Sequence, residues 1–144
     1  MKKILLIDDE SEFINVAFQR ISNVYDVRMY LDPPHEVEGR KIAKVERLGT
    51  IEKMYREFYP HLVISDYTLH GYHGWEIYSH LLDTGITTAE DLRRSFIPWS
   101  STLEEYILKS FRLKCNLEVR MKPRDDAGWR DFGIFLEGCL WARP

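Results

Sequence analysis

Several apolar runs in this 144-residue chain end on residues suited to phosphate or metal chemistry. Asp8-Asp9-Glu10 follows Ile4-Leu5-Leu6-Ile7, and Asp66 closes His61-Leu62-Val63-Ile64-Ser65. Ser100 closes Phe96-Ile97-Pro98-Trp99, and Lys122, followed by Pro123, closes the stretch from Leu117. Two unit charges about 4 Å apart repel by roughly 4 kcal/mol at an effective dielectric near 20. If Asp8, Asp9 and Asp66 meet, something must offset that repulsion. Mg²⁺ suits the task, because it takes hard oxygen ligands, keeps several waters and needs only one or two carboxylates. Lys122 adds a second positive charge and can orient a carboxylate. A phosphoryl group arriving at Asp66 would find both charges in place to neutralise its own, with the Ser100 hydroxyl as a further donor. Each residue alone reads as a capping acid, a solvated acid or a surface lysine. What the four positions share is a place at the end of a strand.

The rest of the chain supplies those strands. Apolar runs alternate with helical periodicity, the pattern of βα units around a parallel sheet. The spacing predicts a first strand over about 3–8 and a first helix over about 11–22, with Phe13, Val16, Ala17 and Ile21 on one face. A second strand over 25–31 alternates Tyr25, Val27, Met29 and Leu31 with polar residues. The third strand covers 61–66, the third helix runs from Gly74 to about Leu82, and the fourth strand covers 96–100. Thr102-Leu103-Glu104-Glu105 reads as a capping box opening the fourth helix. The fifth strand covers 117–122, and Trp129, Phe132, Leu136, Cys139 and Leu140 mark the last helix. The third-strand, fourth-strand and first-strand runs are continuous, as expected of strands covered on both faces. With right-handed crossovers this gives an open, doubly wound, five-stranded α/β sheet of order 2-1-3-4-5. In such sheets ligands bind at the carboxyl ends of the strands.

Between the second and third strands lies an extended segment at about 33–49, before or within the second helix. Pro33-Pro34 marks a loop, and the apolar stripe Ile42, Val45, Leu48, Ile51, Met54, Tyr55, Phe58 predicts a helix over 40–58, with Gly49 as a break. Pro98 predicts a bulge in the fourth strand. Thr87-Thr88-Ala89-Glu90 predicts the cap of a further short helix.

Composition narrows the function. A net charge of −3 carries no electrostatic footprint for nucleic acid. No apolar run is long enough to span a bilayer, and the acids after Ile7 rule out a signal peptide, so no membrane partner is expected. Two cysteines, Cys115 and Cys139, lack metal spacing and read as free thiols of a cytoplasmic protein.

The ordered set of Asp8-Asp9, Asp66, a hydroxyl at Ser100 and Lys122-Pro123, with Gly74 beyond Asp66, resembles the receiver domains of two-component response regulators. The resemblance covers essentially the whole chain, as one domain over 1–144 with the flavodoxin-like receiver fold. It implies that Asp66 is the phosphoacceptor. It also implies that Asp9 and Asp66 coordinate Mg²⁺ directly, Asp8 acts largely through water, and the carbonyl of Thr68 completes the protein ligands. Ser100 would bind phosphoryl oxygens, and Lys122 would pair with the acceptor and then with the phosphoryl group. The donor would be a phosphohistidine on a sensor histidine kinase or a histidine phosphotransfer protein. The only catalysis implied is the domain's own phosphorylation and dephosphorylation. The short stretch after Lys122 holds a loop and one helix, so output is expected as contact with a downstream protein target or onward phosphotransfer.

The chain departs from the family pattern at three places. His70 stands where proline is usual, so a looser loop after Asp66 is expected. His73 replaces a small polar or acidic residue; the pair His70 and His73 reads as exposed loop side chains rather than a transition-metal site. Val119 replaces an aromatic residue, so an aromatic switch of the usual kind is not expected. A degenerate receiver working as a non-phosphorylated binding module is the alternative. A haloacid-dehalogenase-type phosphohydrolase would need Asp8 and Glu10 as its acid pair and leaves Asp66 unexplained. A nucleotide-binding fold would need a glycine-rich turn where this chain is acidic.

Overall fold

A computed structural model describes residues 1–34 and 36–141. In chain order the elements are β1 (Lys3–Asp8), α1 (Ser11–Ile21), β2 (Asp26–Leu31), β3 (Glu36–Val37), β4 (Arg40–Lys41) and α2 (Lys44–Phe58). There follow β5 (Leu62–Asp66), β6 (Thr68–Leu69), β7 (Tyr72–His73), α3 (Gly74–Asp83), α4 (Ala89–Ser95), β8 (Phe96–Ser100), α5 (Glu105–Cys115), β9 (Arg120–Met121) and α6 (Asp126–Trp141). The main sheet has the order β2-β1-β5-β8-β9 and is parallel throughout. This is the expected order 2-1-3-4-5.

Alternation along the central strands builds two cores. Leu5, Ile7 and Val63 face one way and pack with Leu48, Ile51 and Phe58 of α2, Ile77 and Leu81 of α3, and Ile107 and Phe111 of α5. Ile4, Leu6 and Ile64 face the other way, onto Ile14 and Ala17 of α1 and Phe132, Leu136 and Leu140 of α6. Because both faces are covered, β1, β5 and β8 are buried almost without interruption. Trp99 anchors the second core. Its ring is fully buried and lies 4.9 Å from Phe13 and 5.5 Å from Phe132. Such aromatic pairs add about 0.5–1.5 kcal/mol each beyond their area.

Several local expectations give way to tertiary context. In α1 the buried apolar residues include Ile14, Ala17 and Ile21, whereas Val16 faces solvent. In β2 the expected alternation fails: Met29 and Leu31 are exposed, and the edge strand sends Val27 to one core and Tyr30 to the other. The second helix starts at Lys44, because Arg40–Lys41 pairs with Glu36–Val37 in a hairpin turned by Glu38 and Gly39 at positive φ. That helix runs through Gly49 unbroken. β8 holds a continuous register with β5 through Pro98, so there is no bulge. The Thr102 capping box does not form; α5 begins at Glu105, with Glu104 as an N-cap that accepts no side-chain bond. The short extra helix does form, capped by Thr88, whose hydroxyl accepts from Asp91 N at 3.2 Å. The fifth sheet strand is reduced to Arg120–Met121.

Candidate functional site

The carboxyl ends of β1 and β5 lie side by side in the sheet and carry their acids into one cluster. Ligand oxygens of Asp8, Asp9, Glu10 and Asp66 lie within 4.8 Å of one another. Asp8 is fully buried, and its Oδ1 accepts the backbone N–H groups of Asp9 at 2.8 Å and Glu10 at 3.0 Å. Those bonds turn the chain from β1 toward α1 and fix the outward direction of the next two acids. Glu10, part of the acidic triplet but not of the expected ligand set, joins the cluster.

Lys122 enters from the far edge strand. Its backbone N–H donates to the Ser100 carbonyl at 2.8 Å, which sets where the side chain starts. Its Nζ lies 2.9 Å from Asp8 Oδ2, 3.4 Å from Asp66 Oδ2 and 3.5 Å from Glu10 Oε1. The ammonium also sits 4.6 Å from the centre of the Phe13 ring, a cation–π contact from α1. Phe13 read in the sequence only as a core residue.

Burial and mutual repulsion govern the charges. Burial pushes the Asp66 carboxyl up to about 8, the Asp8 charge pushes the same way, and Lys122 opposes both. Asp8 is also raised, chiefly by burial against the pull of Lys122. For Lys122, burial favours the neutral amine, but the charges of Asp66 and Asp8 outweigh it and raise its value. One lysine therefore does not satisfy the acids around it. Asp8 Oδ2 and Lys122 Nζ are both buried and face each other across 2.9 Å. That single ammonium is shared among the carboxylates of Asp8, Asp66 and Glu10. Hard carboxylate oxygens with spare lone pairs in an over-charged pocket fit a divalent cation of the Mg²⁺ type.

Ser100 is buried at the end of β8, one residue past the partner of Asp66 in the β5–β8 pairing, whereas Ser101 is exposed. The Ser100 Oγ accepts from Thr102 N at 3.2 Å. Thr68 is exposed and pairs with His73 across the small β6–β7 hairpin.

That hairpin overturns the expectation of a loose loop after Asp66. Gly71, at φ 86°, makes its turn. Tyr67 and Tyr72, on either side of that turn, are both buried. The Tyr67 ring contacts His73, Tyr106 and Phe111 with centroids 5.1, 6.4 and 5.6 Å away. His73 stacks within this aromatic group, and its backbone N–H donates to Glu76 Oε2 at 2.9 Å at the start of α3. His70 turns elsewhere, with Nε2 3.9 Å from Asp9 Oδ2. Gly74 follows directly. A Cβ there would run into the carbonyl oxygen of Asp66, so only glycine lets α3 start this close to β5.

Sequence reasoning missed a buried ion pair beside this loop. Asp32, just past β2, and Arg47 on α2 are enclosed, with Arg47 Nη1 2.9 Å from Asp32 Oδ2. A signal was present in each case. Asp32 is a further acid at a strand end, and Arg47 precedes Ile51 and Tyr55 at four-residue steps, on the buried face of its helix.

No family model matches the chain, and no curated protein matches it. Solved structures do. The signal receiver domain of an HD domain-containing protein from Pseudomonas fluorescens Pf-5 superposes with a TM-score of 0.69 at 15% identity, covering 96% of this chain and 94% of that one. A LuxR-family two-component response regulator from an Aurantimonas species gives 0.66 at 19% identity, over 98% and 86%. The Vibrio cholerae chemotaxis protein CheY4 gives 0.65 at 13% identity, over 94% and 98%. The chain thus adopts the flavodoxin-like fold of response regulator receiver domains.

Proposed function

We propose that this chain is a phosphoacceptor signalling domain that takes a phosphoryl group onto Asp66 in a Mg²⁺-dependent reaction. The observation that carries the reading is the buried ammonium of Lys122 set 3.4 Å from Asp66 Oδ2, within the four-acid cluster. An Asp66 oxygen attacks phosphorus, the P–N bond of a donor phosphohistidine breaks, and its electron pair returns to the imidazole nitrogen. Lys122 follows the charge as it moves from the acceptor carboxylate to the phosphoryl oxygens. The Ser100 hydroxyl donates to one of those oxygens. Asp8, Asp9, Asp66 and the Thr68 carbonyl would hold Mg²⁺, which when bound neutralises charge on the transferring group.

The donor in this reading is a sensor histidine kinase or a histidine phosphotransfer protein in the cytoplasm. Residues 1–144 act as one receiver domain, and the output is contact with a downstream protein or onward phosphotransfer. No helix among the described residues is long and apolar enough to cross a membrane. The test is beryllofluoride with Mg²⁺, followed by the fluorescence of Trp75 and Trp99. The wild-type chain should respond and Asp66→Asn should not; an undiminished response in that variant would refute the assignment.

A further inference from the structure

Asp32 carries a complete set of partners, drawn from three parts of the fold. Its Oδ1 accepts from the Tyr72 hydroxyl at 2.7 Å and the Tyr30 hydroxyl at 3.2 Å. Its Oδ2 accepts from Arg47 Nη1 and from the backbone N–H of His70, both at 2.9 Å. Two oxygens with about four lone-pair sites are thereby filled. Two of the four donors, His70 and Tyr72, belong to the loop that follows Asp66. The backbone of Asp32 is fixed in turn, because its N–H donates to the Asp8 carbonyl at 2.8 Å. One residue therefore spans from the end of β1, which carries Asp8 and Asp9, to the acceptor loop.

Arg47 pairs with the carboxylate and closes the inserted segment around it. Its Nε donates to the Ile42 carbonyl at 3.1 Å, its Nη2 to the Pro34 carbonyl at 2.7 Å, and its Nη1 to the Pro33 carbonyl as well as to Asp32. Removing one partner of an enclosed pair strands the other charge, so such pairs contribute more to a specified geometry than to net stability. What this pair specifies is the loop. With its amide held by Asp32, His70 presents its imidazole to Asp9 on the other side of the site.

We propose that Asp32 is a positioning residue that, braced by Arg47, fixes the acceptor loop and with it the cation-binding geometry of the acidic site. The cation-binding part rests on the phosphoacceptor reading above; the anchoring of the loop does not. The test is amide hydrogen exchange by NMR on the metal-free chain together with Mg²⁺ titration, for wild type, Asp32→Asn and the milder Tyr72→Phe. His70 N–H should be protected in wild type and exchange at least about tenfold faster in Asp32→Asn, while amides of β1 and β5 keep their protection. Mg²⁺ affinity should fall about 10–100-fold, as it does when partners behind metal ligands are removed. Tyr72→Phe should shift both readouts the same way by less. A His70 amide unprotected in wild type, unchanged in Asp32→Asn, or released only in step with the whole sheet would overturn the proposal. So would unchanged Mg²⁺ affinity once the loop is released. If wild type takes up no Mg²⁺ yet Asp32→Asn selectively releases His70, the phosphoacceptor reading fails and Asp32 stands as the anchor of the loop.

Discussion

The ammonium of Lys122 lies 2.9 Å from Asp8 Oδ2, and both groups are buried. Asp66, the proposed acceptor, is the more distant of the two aspartates, at 3.4 Å. Lys122 therefore lies close enough to two buried carboxylates to compensate both. Lys122→Met should destabilise the metal-free chain by about 3–5 kcal/mol near pH 8, the usual cost of stranding buried charge. The loss should shrink near pH 5, where the carboxylates can take protons instead. Urea midpoints in chelator at the two pH values check this; an equal loss at both would mean that Lys122 matters only through packing.

Asp66 makes a second pH prediction. Its folded value of about 8 stands well above the ordinary 3.8. Between these values the folded chain holds a proton that the unfolded chain has released, so stability falls as pH rises through that window. The slope has a ceiling of about 1.4 kcal/mol per pH unit for this group. Asp8, also raised, adds in the same direction. Thermal midpoints of metal-free protein should drop from pH 5 to pH 8, and saturating Mg²⁺ should flatten the curve. Midpoints that rise over this range would show that the acids are not crowded.

Asp9 is the half-exposed member of the cluster, so removing its charge relieves repulsion and disturbs little packing. Asp9→Ala should raise the denaturation midpoint in chelator by an amount on the order of 1 kcal/mol. The same variant should bind Mg²⁺ more weakly, so the stability order of mutant and wild type should reverse at high Mg²⁺. A lower midpoint in chelator would count against the prediction.

Gly74 packs its backbone against the carbonyl of Asp66. A methyl group in Gly74→Ala would also come within 3.2 Å of Phe111 Cζ and Ser65 Oγ. The strain should cost about 1–3 kcal/mol, as overpacking does in a close-packed interior. Because the clash falls on the backbone of Asp66, the beryllofluoride response should weaken as well. Comparing urea denaturation with ligand titration separates the two effects, and a neutral substitution would mean that α3 can slide away.

Much of the site was legible because strand ends are marked by composition. Asp8, Asp66 and Ser100 each close an apolar run and Lys122 closes an alternating one, and the topology that brings those ends together follows from continuous runs in the centre and broken ones at the edges. Local signals fared worse wherever a neighbour outweighed them. The Thr102 box is a sound helix start by itself, but α5 begins at Glu105. Met29 and Leu31 alternate correctly for a strand, but edge strand β2 leaves them exposed. Gly49 has open space around it and no demand for positive φ, so the helix continues through it.

The sequence by itself determined the sheet, its order, and the set of acids, hydroxyl and lysine at its carboxyl edge, because periodicity and strand-end chemistry are properties of short segments. The tertiary structure decided how those groups are balanced and held. Glu10 joins the cluster, Phe13 lies under Lys122, and Asp32, paired with Arg47, bonds both the loop after Asp66 and the end of β1. Those relations join residues far apart in the chain. Their strength comes from burial, which turns an ordinary acid or arginine into a charge that must find a partner, and burial is fixed only when the elements pack.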